Sequence, residues 1–110
     1  MTETKIYVGL NDGYTLKQEH DTEKYISILK DVCRSYRIPF SFSLAQGGYM
    51  HENGEYTQEL TLVISLMDTD KATVDEVAKD LCAFFNQESV LITEGKVESY
   101  FIRESLGTGE

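Results

Sequence analysis

Basic side chains are scarce in this chain: ten lysines and arginines stand against nineteen aspartates and glutamates, a net charge of −9. That balance repels polyphosphate, so direct binding to nucleic acid or to an anionic membrane is not expected. Cysteine is nearly absent. Cys33 and Cys82 sit in apolar stripes without C-x-x-C spacing, which argues against a disulfide frame or a zinc site. No apolar run approaches the roughly 20 residues of a membrane span. Residues 1–5 (Met-Thr-Glu-Thr-Lys) lack the basic-then-apolar layout of a signal peptide. Gly-x-Ser-x-Gly, His-Glu-x-x-His and phosphate-cradling glycine loops are missing, so no catalytic set stands out. No cofactor or metal is expected, and the cytoplasm is the expected compartment.

The 110 residues are 41% apolar and 26% charged, enough for one core without staples. A single domain over 1–110 is expected, ordered from about residue 4 to 103 with a frayed tail over 104–110.

Residues 5–10 alternate, with Ile6, Val8 and Leu10 on one face of a half-buried strand. Asn11-Asp12-Gly13 ends it, because these residues make turns and tolerate positive φ. From Thr22 the period becomes helical: Tyr25, Ile28, Leu29, Val32, Cys33 and Tyr36 form one stripe, capped by Asp21 or Thr22. Pro39, the only proline, closes that helix. Phe40, Phe42 and Leu44 alternate in a second strand; Leu60, Leu62, Ile64 and Leu66 alternate in a third. Between them Asn53-Gly54 signals a hairpin turn.

Parity constrains that hairpin. A two-residue Asn53-Gly54 loop would set Leu44 opposite Val63, yet cross-strand partners share a face and both apolar sets are even-numbered. Either the loop has three residues or a bulge at Gly47-Gly48 absorbs one position. Thr73-Val-Asp-Glu76 reads as a capping box for a second helix carrying Val74, Val77, Ala78, Leu81, Cys82 and Phe85. Val90 to Ile92 is a short strand, and 96–102 a last strand or edge partner. The order βαββαβ, with two helices on one face of an antiparallel sheet, is the ferredoxin-like α+β arrangement. The uncovered face would carry Tyr7, Ser41, Ser43, Glu59, Thr61, Val63 and Ser65, rich in hydroxyls and poor in charge.

Candidate ligand residues come from several places. Gly47-Gly48-Tyr49-Met50-His51 reads first as the bulge the register demands, and second as a ligand-facing lip with Tyr49 and His51. Asn11 lies at the C-terminal end of the first strand, where loops of such domains carry ligands. Lys5, Arg34, Arg37 and Arg103 are the only clamps for an anion. His20 and His51 read as surface histidines, and Cys33 and Cys82 as small core hydrophobes. The acidic helix face (Asp75, Glu76, Asp80) reads as solvated.

Three blocks carry a family resemblance: Thr4-Lys-Ile-Tyr-Val-Gly-Leu10, then Gly48-Tyr-Met-His-Glu-Asn-Gly54 with 59–64, and Phe85-Asn-Gln-Glu-Ser-Val-Leu91. Together they resemble a family of small bacterial domains of unknown function, often lipoproteins, with T-x-x-Y-x-G-L and F-x-Q-E-S-V-L blocks. The resemblance implies mainly the fold; it adds Tyr7, Gly9, Gln87, Glu88 and Ser89 as positions of interest. Gln87-Glu88-Ser89 would join the second helix to the next strand, holding backbone across the loop or lining a site with Tyr7. This chain departs by lacking a lipidation cysteine near its start, which points to a cytoplasmic or phage-borne relative.

The leading expectation is a non-catalytic binder of a small polar molecule, a nucleotide among the candidates, acting as a homodimer or higher oligomer through the open sheet face. Two alternatives stand beside it: an acidic module that blocks a basic partner protein, and a small dimeric oxygenase- or isomerase-like enzyme resting on fold analogy alone.

Overall fold

The computed structural model describes residues 1–50 and 53–104. Strand β1 (Thr2–Gly9) leads into helix α1 (Thr22–Ser35), then β2 (Ser41–Met50), β3 (Tyr56–Met67), helix α2 (Lys71–Phe84) and β4 (Leu91–Lys96). The sheet is antiparallel in the order β2-β3-β1-β4. This is the ferredoxin-like α+β fold expected from the order of elements.

Alternation places Thr4, Ile6 and Val8 of β1, and Leu10 just past its end, beside Leu62, Ile64 and Leu66 of β3, all fully buried beneath the helices. α1 contributes Tyr25, Leu29, Val32 and Cys33, and α2 contributes Val74, Val77, Ala78 and Leu81, closed by Phe85 edge-on to Tyr25 at 5.0 Å. Burying one Leu, Ile or Val of this set is worth about 1.5–3 kcal/mol. Burial also pushes the Cys33 thiol up to about 11, as expected of a core cysteine.

Three local readings are corrected. The cap of α2 is Asp70 rather than Thr73: the Asp70 carboxylate accepts from the Thr73 amide at 3.1 Å and from its hydroxyl at 2.8 Å, so the helix begins at Lys71. Gly47-Gly48 is no bulge. The β2–β3 register runs unbroken from Ser41 opposite Ser65 to Met50 opposite Tyr56, with Leu44 facing Leu62. The parity conflict is resolved in the loop, where five residues separate Met50 from Tyr56 instead of two, and Gly54 takes φ +87. Residues 96–102 do not form a further strand: β4 stops at Lys96, and Tyr100, Phe101 and Ile102 stand more than 80% exposed.

Candidate functional site

The open loops meet where β1 ends. Two of them, 10–18 and 85–90, are stapled side by side. The Asn86 side-chain amide donates to the Asp12 carboxylate at 2.8 Å, the Gly13 amide donates to the Asn86 carbonyl at 2.8 Å, and the Gln87 side-chain amide donates to the Asn11 carbonyl. Asp12 also accepts from the amides of Tyr14 at 2.7 Å and Thr15 at 3.1 Å, an Asx-type turn. The Asn86 amide first, and then those backbone amides, hold the Asp12 carboxyl below its ordinary range. Gly13 must be glycine for this approach, because a Cβ there would lie 2.9 Å from the Asn86 carbonyl oxygen. Cys82 completes the staple: its thiol donates to the Gln87 carbonyl at 2.9 Å, and the Gln87 amide donates to the Cys82 carbonyl at 2.8 Å.

Beside the staple lies Glu59, half-buried on β3. Its carboxylate accepts from the Asn11 amide at 3.0 Å and is laid across Gly9; a Cβ on Gly9 would fall about 2.5 Å from the carboxylate atoms. The absent side chain of Gly9 is therefore the space that Glu59 occupies. Two neighbouring hollows share Asn11 and Glu59 in their walls. One, of about 520 Å³, reaches along Gly47, Gly48, Tyr56, Gln58 and Gln18; the other, of about 380 Å³, is walled by Asp12, Gln87, Glu88 and Ser89. Both volumes lie within the range of small-molecule clefts. No lysine or arginine lines the second hollow, and neither Glu59 nor Glu88 forms an ion pair among the described residues. Of the three carboxylates on this hollow, Asp12 is taken up by the Asn86, Tyr14 and Thr15 amides, and Glu59 and Glu88 face it with no cation between them.

Of the expected ligand residues, Asn11, Gln87, Glu88 and Ser89 line this second hollow together. Gln87 does so while holding backbone across the loop. Tyr7 lies elsewhere, half-buried on the open sheet face between Val63 and Leu91. Arg34 and Arg37 are exposed near the end of α1, remote from the cleft because that helix carries the chain back to the end of the sheet where β2 starts. Tyr49 pairs through its backbone with Thr57, and His51 lies outside the described residues. Among the described residues no three His, Cys, Asp or Glu side chains converge as metal ligands, and no helix is long and apolar enough to cross a membrane. Glu59 was not among the expected ligand residues. The signal for it is the pair of glycines on neighbouring strands, Gly9 and Gly47, of which Gly47 lies directly opposite Glu59.

With this geometry in view, the fold places the chain in the class of small ferredoxin-like domains. Among solved structures, a phage SAM lyase, in its apo state and in complex with S-methyl-5′-thioadenosine, is similar with a TM-score of 0.67 and 24% identity over 86% of this chain; the match covers 78% of the apo chain and 80% of the complexed one. The periplasmic divalent cation tolerance protein CutA from Archaeoglobus fulgidus is similar with a TM-score of 0.56 and 15% identity over 90% of this chain and 87% of that one. A DUF3240 family protein from Shewanella baltica OS155 is similar at 0.53 and 8% identity, over 94% and 97%. At these identities the likeness is one of fold. No protein-family model and no curated protein matches the chain. The sequence blocks that resemble a lipoprotein-associated family thus find no support beyond the shared fold.

Proposed function

We propose that this domain binds S-adenosylmethionine in the cleft beside Glu59 and Glu88 and cleaves it to S-methyl-5′-thioadenosine. The observation that carries the reading is the Glu59 carboxylate, laid over Gly9 and anchored by the Asn11 amide, with Glu88 on the same hollow and no basic residue to neutralise either. S-Adenosylmethionine carries two cations, a sulfonium and an ammonium. Two carboxylates without ion-pair partners, Glu59 half-buried and Glu88 exposed at the rim, complement them, where a polyphosphate nucleotide would be repelled. The amides of Gln87 and Asn11 supply neutral polar contacts. The likeness in fold to a phage SAM lyase supports the same ligand class.

The chemistry asks little of the protein. The bond from sulfur to the amino-acid chain breaks with both electrons going to sulfur, which becomes a neutral thioether. The substrate's own carboxylate oxygen bonds to the carbon that sulfur leaves, closing a lactone. Atoms balance without water and without an added acid or base. A carboxylate near the sulfonium favours the charged ground state, so it raises affinity and hastens release of the neutral product rather than the chemical step. Acceleration then has to come from folding the four-carbon chain so that oxygen, carbon and sulfur align.

Self-association and a cytoplasmic setting belong to the same reading. On the uncovered sheet face only Glu3, Lys5 and Glu59 are charged, a low density for a chain of net charge −9, and such a face suits a second copy. The test is incubation of the purified protein with S-adenosylmethionine and mass spectrometry of the products. S-Methyl-5′-thioadenosine above the no-protein control supports the reading. Binding without product would return the domain to a non-catalytic small-molecule binder, and neither binding nor product would favour the acidic module that targets a basic protein.

A further inference from the structure

The molecule is unusually long for its size. Its extents are 66 × 27 × 26 Å and its radius of gyration is 16.9 Å, against about 13 Å for a compact chain of 110 residues. One contributor is the C-terminal segment. Met1 and Val97 exchange backbone hydrogen bonds at 2.8 and 3.3 Å, and beyond them the described chain makes one further bond, from the Ser99 hydroxyl to the Met1 sulfur at 3.3 Å. Tyr100, Phe101 and Ile102 follow at 84%, 82% and 85% exposure. Three consecutive large apolar residues therefore leave the sheet without folding back on it.

At the other edge of the sheet, β2 presents an unpaired flank of ten residues, Ser41–Met50. Natural edge strands are protected by charge, proline, bulges or brevity. This one has none: it contains no charged residue and no proline, and its register is unbroken. Leu44 is 45% exposed along it and Met50 66%. A bare, neutral edge in a chain of net charge −9 leaves ten residues of backbone open to pairing with another strand.

We infer that the segment 98–104 of one copy adds as a strand to the free edge of β2 on a second copy of this chain, with Leu44 meeting its apolar residues. The arm supplies what the edge lacks, unpaired backbone groups and exposed apolar side chains. The arm leaves β4 at one margin of the sheet and β2 forms the other, so the contact is heterologous, donor surface on one copy and acceptor surface on the next. The inference is independent of what the cleft binds.

The test is sedimentation velocity on three forms: the full chain, the chain ending at Ser99, and the full chain with Leu44→Lys. The full chain is expected to sediment as an oligomer at 50 μM, and each altered form as a smaller species, a monomer or a pair held by the open sheet face alone, with unchanged far-ultraviolet circular dichroism. Mixing the two altered forms should restore association, because one keeps the acceptor and the other the donor. Hydrogen exchange should show β2 amides slowed in the full chain and released in the truncated one. A monomeric full chain at 200 μM, or a truncated chain that sediments as the full chain does, overturns the inference; the second result would leave the open sheet face, or pairing of β2 with β2, as the contact.

Discussion

Replacing Glu59 with glutamine removes one negative charge from the cleft and leaves its shape, because the amide oxygen can still accept from Asn11 as the carboxylate does at 3.0 Å. A carboxylate about 4 Å from a sulfonium is worth ~4 kcal/mol at an effective dielectric near 20 and ~1 kcal/mol in water. Glu59 is half-buried in an open cleft, so an intermediate value of ~1.5–2.5 kcal/mol applies, roughly a 10- to 70-fold change in affinity. The comparison that isolates charge uses two ligands on two proteins. Sinefungin, a cationic analogue with an amine in place of the sulfonium, and the neutral S-methyl-5′-thioadenosine are titrated calorimetrically into the wild type and Glu59→Gln. The expected result is a loss of about 10- to 70-fold for the cation, with the neutral thioether weakened by no more than about threefold. Equal weakening of both ligands would show that Glu59 only shapes the loop, and no weakening of either would remove it from the site.

Gly9→Ala should leave the fold intact, since the clash at about 2.5 Å is with the mobile end of Glu59, but it should displace that carboxylate and weaken cation binding as much as Glu59→Gln does; calorimetry beside a thermal melt separates the two effects. Thr4, 1% exposed, has a buried hydroxyl with no partner, so Thr4→Val should raise stability by about 1 kcal/mol in urea denaturation. The Asp12 carboxyl is held below its usual value of 3.8 by Asn86, Thr15 and Tyr14. A depressed folded pKa contributes stability that is present above the unfolded value and lost as pH falls through the folded one. Stability measured from pH 6 down to 2 should therefore fall less steeply below about 4 in Asp12→Asn than in the wild type. Cys33, buried with its thiol pushed up to about 11, should resist iodoacetamide at pH 8 in the native protein and react once urea unfolds it.

Much of the fold was legible because periodicity carries it. Ile6, Val8 and Leu10 alternate, and Tyr25, Leu29, Val32 and Cys33 recur at helical spacing; each set is buried on the face that its spacing requires. Parity alone is enough to rule out a plain two-residue Asn53-Gly54 loop, in agreement with the Leu44–Leu62 register. What failed depends on competition between neighbours that a pattern does not rank. Asp70 and Thr73 are both good caps, and Asp70 prevails because its carboxylate reaches both the amide and the hydroxyl of Thr73. The sequence suggests a short strand over 90–92 and a separate strand or edge partner over 96–102, but one edge strand runs from Leu91 through Glu94-Gly95 to Lys96, exposed along its whole length, and 97–102 add no strand to it.

The cleft was half legible. Asn11, Gln87, Glu88 and Ser89 were visible as loop residues with polar heads, 76 positions apart between Asn11 and Gln87 and joined by one hydrogen bond. Glu59 was hidden in an alternating strand, where an acidic residue on the uncovered face reads as solvated. Its burial arises from Gly9 on the neighbouring strand, and that contact, diagonal to the Gly9–Thr61 pair, appears only once the β1–β3 register is known. Arg34 and Arg37 drew attention because basic residues are rare, yet scarcity does not place a side chain.

Whether the Glu59 cleft takes the cationic ligand is tested most directly by titrating isotope-labelled protein with sinefungin and following the amide chemical shifts. The amides of Asn11, Glu59, Gln87, Glu88 and Ser89 should move together along one saturating curve, while those around Arg34 and Arg37 stay still. No movement at millimolar ligand, or movement confined to residues away from Glu59, would contradict binding there.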